Sequence, residues 1–356
     1  MFARVVLVLF LPLCFAKSAD VTFKNVTFRG YSLYTEKFKK TIQSSNSLID
    51  HLPETPFDKI EFIDQDIPVL YKGSLADLDD LDELTMENCG ISEIQPGALK
   101  NVPGLRRLSL KGNKIEEIKE GVFNDLDIST LDLSLNLIKT IHSNAFNDMP
   151  NLLNIQLADN QIDRWDKNWF KNTPLLTRVS MQNNSISSLP NDAFKNLVGK
   201  KQFGKLKLTI NLVLSYNKIN KIEPKAFSGL TEINNLWLDN NQLEEFEDGL
   251  LEGVDVKDLR LNKNNIRCLD GDLSKIIKAE TTHLDSNPFD CECLGNIKEW
   301  AKENDKLIEI FFSDMDCSAQ RIKTKLVALE KRLKEIKDQD NDIEVAEGKP
   351  STYPLK

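Results

Sequence analysis

The sequence predicts an α/β solenoid: a horseshoe of stacked coils with a parallel β-sheet on its concave face, a helical C-terminal cap and a short C-terminal helix. Three observations predict it. The pattern leucine-x-x-leucine-x-leucine-x-x-asparagine-x-isoleucine, as in LRRLSLKGNKIEEI at 105–118, returns along the chain. Its asparagine slot is filled by Gln65, Cys89, Asn113, Asn136, Asn160, Asn184, Asn217, Asn241, Asn264 and Asn287, at spacings of 24, 24, 23, 24, 24, 33, 24, 23 and 23. A second apolar column, Leu99, Phe123, Phe146, Phe170, Phe194, Phe227 and Leu251, keeps the same step. Such a period means one structural unit per repeat, each burying its apolar face against its neighbours.

From the N-terminus, residues 1–18 combine a basic Arg4, an apolar run from Val5 to Phe15 and small residues at Ala16 and Ser18. That is the pattern of a secretory signal peptide, so a secreted, extracellular protein is expected. The longest later apolar run, LIEIFF at 307–312, is far short of the ~20 residues that span a bilayer, so no transmembrane segment is expected. Loss of Arg4 and Lys17 with the signal takes the formal charge from −9 to −11 (−9 minus 2). With no basic, aromatic-interleaved run to offset it, nucleic acid is not an expected partner. Residues 19–56 contain no cysteine, yet Phe23, Val26, Phe28, Tyr31 and Tyr34 could cover the open end of the first coil.

Residues 57–286 hold the repeats. Strand side chains alternate between faces, so the leucines of each leucine-x-leucine stretch fill the core. The asparagine then turns the chain out of the strand, and its amide can satisfy backbone groups of adjacent coils. Cys89 in that column reads as a buried structural thiol. Trp165, where other coils carry Ile118, Ile141, Leu189, Ile222 and Phe246, reads as core. The spacing of 33 becomes ordinary once GKKQFGKLK, 199–207, is removed. That stretch is either an inserted surface loop, an irregularity of the gene model, or a basic contact finger.

The same alternation points Trp237 outward from the concave sheet, because Leu236 and Leu238 point in. Its row reads Glu61, Thr85, Ser109, Asp132, Gln156, Ser180, Val213, Trp237, Arg260 and His283. Val213, Trp237, Arg260 and His283 lie in sequence on adjacent strands, with Tyr216, Asn235, Asp239, Asp258 and Asn262 around them. Exposed tryptophan, tyrosine and arginine on one concave patch have the composition of an interface hot spot. Asn25 and Asn183 begin N-x-S/T sequons, and a glycan on Asn183 would shield the middle of the sheet.

Ten matching slots make the chain resemble the extracellular leucine-rich repeat proteins of animals over about 57–318. The resemblance implies a cysteine-bearing C-terminal cap at 287–318, which here holds Cys291, Cys293, Trp300 and Cys317 but lacks a fourth cysteine after Cys317. Cys268 and Cys291 each lie four residues past a slot asparagine. Strands ~4.8 Å apart would bring the two near disulfide distance, predicting Cys268–Cys291 and Cys293–Cys317 with Cys89 alone. The family-like alternative pairs Cys291 with Cys317 and leaves Cys293 free or bridged to another chain.

Residues 319–345 place Ile322, Leu326, Leu329, Leu333 and Ile336 at heptad spacing, which suits a homo- or hetero-dimer through helix 322–336 or a helix folded back on the cap. The tail 346–356 is expected to be disordered. Signal peptide, solenoid, cysteine junction and heptad helix, in that order, resemble the secreted leucine-rich immune proteins of insects. The resemblance implies a secreted recognition protein of innate immunity that binds a protein or pathogen-surface ligand through its concave face; the alternative is a structural protein of the extracellular matrix or of cell adhesion. No phosphate loop, serine elbow or metal triad occurs, so neither catalysis nor a cofactor or metal is expected.

Overall fold

The computed structural model describes residues 21–197, 209–310, Cys317 and 322–334, with the backbone alone of 202–203 and 206–207. The signal segment 1–18, most of the 199–207 insertion, Ile336 and the 346–356 tail lie outside the described residues.

One 13-stranded sheet organises the chain. An antiparallel hairpin, β1 (Phe23–Ser32) and β2 (Thr35–Ser45), leads into eleven concave strands. These are β3 (Lys59–Ile63), β4 (Glu83–Glu87), β5 (Arg107–Ser109), β6 (Thr130–Asp132), β7 (Asn154–Gln156), β8 (Arg178–Ser180), β9 (Ile210–Val213), β10 (Glu232–Trp237), β11 (Asp255–Arg260), β12 (Thr281–His283) and β13 (Leu307–Glu309). From β3 onward each pairs with the next in parallel, the arrangement of a repeat horseshoe of about 10 turns.

The hairpin is the N-terminal cap. Phe23 and Phe28 are buried and stack on Phe62 of the first coil at 5.6 and 5.2 Å, closing the solenoid core without a disulfide. Gly30 sits on β1 because Phe38 of β2 lies across it: a Cβ there would come 2.1 Å from the ring. Tyr34 does not cover the coil as expected. It stands in the hairpin turn, fully in solvent, because the apolar alternation of β1 ends at Phe28 and the turn falls beyond the first coil.

The asparagines work as the spacing predicts. Asn113 Nδ2 donates to Met86 O at 2.8 Å and Leu110 O at 2.7 Å, while its Oδ1 accepts from the N–H groups of Cys89 and Ile91. The ladder continues to Asn287, coil by coil, and each member is buried. Cys89 holds its slot by the same geometry, its thiol donating to Phe62 O at 3.2 Å. Gln65, in the first slot, accepts from Thr27 N–H at 2.7 Å and so ties the cap hairpin to the ladder. The residue before each ladder position turns in the left-handed region, from Asn88 and Gly112 through Asn183 and Tyr216 to Ser286.

On the far side of the coils Phe123, Phe146 and Phe170 stack in turn, as do Phe194 and Phe227. Trp165 is core: it wedges between Phe170 and Phe194 and donates its indole N–H to Ala193 O at 2.7 Å. The insertion leaves the coil untouched. Leu212 pairs with Val179 and Asn217 Nδ2 reaches back to Met181 O, so the ladder bridges the extra residues. Within the insertion, backbone segments 202–203 and 206–207 pair antiparallel.

The C-terminal cap corrects the predicted disulfides. They are Cys268–Cys293 and Cys291–Cys317, with Cα separations of 5.6 and 5.4 Å. Stacking Cys291 on Cys268 requires the chain past Asn287 to retrace the preceding coil. Instead α2 (Cys291–Glu303) begins there, after the short α1 (Leu273–Ile276), and two positions along a helix turn ~200°, so the cysteines face apart. Cys293 is buried against Cys268, whereas Cys291 meets the chain returning after β13. Each bridge closes about 25 residues, a loop length worth ~3 kcal/mol against unfolding. Helix 322–334 is not folded back through its apolar stripe: Ile322, Leu326, Leu329 and Leu333 are exposed.

Cys89 gives a chemical test of the ladder. Burial pushes its thiol from 9.0 up to about 11. Because the folded value is the higher one, the stabilising contribution of the neutral thiol is complete below pH 9 and is lost as pH rises through about 11. Iodoacetamide at about pH 8 is expected to leave Cys89 unmodified in the folded protein and to label it in denaturant, read by peptide mass spectrometry.

Candidate functional site

The site is built by register. Val213, Trp237, Arg260, His283 and Glu309 are successive partners across β9 to β13, so five outward side chains line one row of the concave face. Their positions follow from the flanking leucines: Leu212 and Leu214, Leu236 and Leu238, and Leu259 and Leu261 are all buried.

Within this row Trp237 is held on two sides. Its indole N–H donates to Asp258 Oδ2 at 2.8 Å, and the Arg260 guanidinium lies over its ring at 4.0 Å. Arg260 Nε also reaches Asp258 Oδ2 at 3.2 Å, so one carboxylate orients both groups. The other Asp258 oxygen, buried, has His283 Nε2 at 3.0 Å, a pair that closes as a hydrogen bond when that nitrogen carries the proton. His283 Nδ1 faces Glu309 Oε2 at 2.8 Å. Trp237, Asp258, Arg260, His283 and Glu309 thus form one connected polar network around a partly exposed indole. A cation over an indole is worth ~1 kcal/mol at such a site, and the network fixes the ring plane before anything binds.

The remaining predicted residues divide. Val213 lies in the row beside Trp237, whereas Asn235 lies in the adjacent outward row, in register with Asn211 and Asp258, and donates to Asn211 Oδ1 at 3.0 Å. Tyr216 is exposed at the left-handed position beside ladder Asn217, on the edge of the patch. Asp239 is not presented to a ligand: it is buried and accepts from Ser215 Oγ at 2.6 Å and Asn240 Nδ2 at 2.7 Å. Asp258, expected beside the row, is the carboxylate that joins its members, and Glu309 is the one side chain of this network to which the repeat pattern does not point. Glu309 belongs to a coil with no slot asparagine, and LIEIFF carries no repeat signal beyond its apolar alternation.

Asn183 is exposed on the same edge as Tyr216, one coil earlier, and its amide donates to Asp159 Oδ1 at 2.6 Å. Asn25 is exposed on β1. Among the described residues no group of three or more His, Cys, Asp or Glu side chains is placed to hold a metal ion, and no helix is long and apolar enough to cross a membrane.

Comparison with known proteins fits this geometry. The family described as BspA type Leucine rich repeat region matches residues 70–200 in six copies, and the Leucine rich repeat family matches 196–243. Human epiphycan is 31% identical over 127 residues, 35% of this chain and 38% of that protein. The chain spans less than half the length of the curated relatives it matches. Among solved structures, the TLR13–ssRNA13 complex aligns with a TM-score of 0.52 and 26% identity over 61% of this chain and 32% of that one. The Drosophila Toll–Spatzle complex aligns with a TM-score of 0.55 and 17% identity over 70% of this chain and 37% of that one.

Proposed function

We propose, from the premise that the chain is a leucine-rich repeat protein, that it is a secreted recognition protein whose ligand docks on the C-terminal half of the concave sheet. The observation that carries this is the preformed Trp237 anchor. An indole oriented by Asp258 and backed by Arg260 loses little freedom on binding, and aromatic side chains of this kind dominate interface energies. The ligand class is a protein or a pathogen-surface molecule. An acidic chain, with Glu309 in the row and Asp258 beside it, disfavours nucleic acid, and the ssRNA13 of the TLR13 complex belongs to that protein.

A role in innate immunity is supported by the order of signal peptide, solenoid, cysteine cap and heptad helix. Glycans on Asn25 and Asn183 would mask the cap hairpin and one edge of the middle coils, leaving the C-terminal row open. Helix 322–334, with its apolar stripe in solvent, serves association with a second chain. The second reading, a structural or adhesion protein of the extracellular matrix, is favoured by the similarity to epiphycan.

A pull-down from the native extracellular fluid tests the proposal, with wild type and Trp237→Ala side by side under non-reducing conditions. A partner retained by wild type and lost by the variant is the expected result. A partner retained equally by both moves the site elsewhere on the molecule.

A further inference from the structure

We propose that two copies of the chain pair antiparallel, with helix 322–334 of each lying on the β1–β2 hairpin tip of the other. The proposal rests on reading that helix as an association element, and it names the surface the helix meets.

The turn between β1 and β2 is Leu33–Tyr34, with φ of 46° and 70°. Asparagine and glycine adopt such values freely, whereas leucine and tyrosine do so at a cost of ~1 kcal/mol each. Both side chains face solvent, 81% and 99% exposed, so burial within one copy does not offset that cost. Strain kept at an exposed apolar pair points to a contact with another molecule.

Beneath the tip is a cavity of about 260 Å³ edged by Leu33 and Tyr34 together with Asp58, Glu61, Asp82 and Glu83. Two cations also line it. Lys59 bridges Glu61 at 2.6 Å and Glu83 at 2.9 Å, and Arg107 pairs with Asp82 and Glu83. Four carboxylates against two cations leave a surplus of −2 around an apolar knob.

Helix 322–334 carries the complement. Ile322, Leu326, Leu329 and Leu333 form one stripe, each between 55% and 63% exposed. Flanking the stripe are Lys323, Lys325, Arg332 and Lys334 against Glu330, four positive and one negative, a surplus of +3, with Lys331 on the opposite face. An apolar stripe with basic flanks fits an apolar knob with an acidic rim.

The partner is another copy because the helix does not reach its own hairpin. β1 and β13 lie near opposite ends of the sheet, eleven strand steps apart, or ~50 Å along it. Cys317 is tied to Cys291 at the C-terminal end. Four linking residues fully extended add ~14 Å and a 13-residue helix ~20 Å, well short of that span. In an antiparallel pair the two contacts are related by a two-fold axis, so assembly closes at two copies.

Light-scattering mass of the full secreted chain tests this, for wild type, Tyr34→Asp, Leu329→Asp and an equimolar mixture of the two variants. Both positions are exposed, so circular dichroism should show every variant folded. Wild type is expected at twice the monomer mass, with each variant dissociating roughly 30-fold more readily. The mixture is expected to recover dimer, through the intact helix of one variant on the intact tip of the other. Dissociation is expected to rise about tenfold on going to about 0.5 M salt. Dimeric Tyr34→Asp beside monomeric Leu329→Asp would overturn the tip contact while keeping the helix as the association element. A wild-type dimer unaffected by Leu329→Asp, or a monomeric wild type, would overturn both.

Discussion

Trp237→Ala is expected to weaken ligand capture by at least ~2 kcal/mol, roughly 30-fold, while shifting thermal unfolding by no more than ~3 °C. The binding loss is large because the indole is the one big aromatic surface in the row and is already oriented, so removing it forfeits contact area that needed little ordering. The stability loss is small because Trp237 sits on the concave surface above Leu236 and Leu238, which keep the core packed in the variant. Trp237→Phe separates the two supports. It keeps a ring under Arg260 but deletes the N–H that bonds Asp258, and an intermediate affinity is expected. Titration of the captured partner against each variant, with parallel thermal melts, measures both quantities.

Asn241→Ala is expected to have the opposite profile, losing ~3 kcal/mol of stability and binding together. Its Nδ2 donates to Leu214 O at 3.0 Å, Leu238 O at 3.0 Å and Asp239 O at 3.2 Å, and its Oδ1 accepts from Ile219 N–H at 2.9 Å. Alanine leaves these backbone groups buried without partners, and each unsatisfied group costs ~1–3 kcal/mol. Two of the orphaned carbonyls belong to the residues that follow Trp237, so the strand presenting the indole loosens as well. Chemical denaturation with site-resolved hydrogen exchange checks this, because a one-dimensional stack opens first at its weakest coil.

These two residues show what kind of feature was legible in the sequence. Asn241 and Trp237 are defined by a pattern that recurs in ten slots, and its periodicity translates directly into which side chains point inward, which form the ladder and which line the concave surface. The same logic placed Trp165 in the core and excluded 199–207 from the coil. Features outside the repeat were legible only in part. The cap hairpin contains apolar alternation, which marks Phe23 and Phe28 as core, but no signal marks where its turn falls, so Tyr34 stands in solvent rather than over the first coil. Spacing makes Cys291 one more coil position, whereas a helix starts there and turns its side chain away from Cys268. Glu309 carries no repeat signal because the last strand has no asparagine after it, and the carboxylate of Asp239 is claimed by a neighbouring serine and asparagine. In each case a tertiary contact decided the outcome, and no spacing encodes it.

The most direct test of the concave-face account is photo-crosslinking from one row of the sheet. A photoreactive residue replaces Val213, beside the indole, or Ser109, in the same row four strands earlier, and each protein is exposed to the extracellular fluid and illuminated. The account predicts a covalent adduct from position 213 and none from position 109, with the 213 adduct abolished by Trp237→Ala. An adduct from 109 alone, or one from 213 that survives loss of the indole, would contradict it.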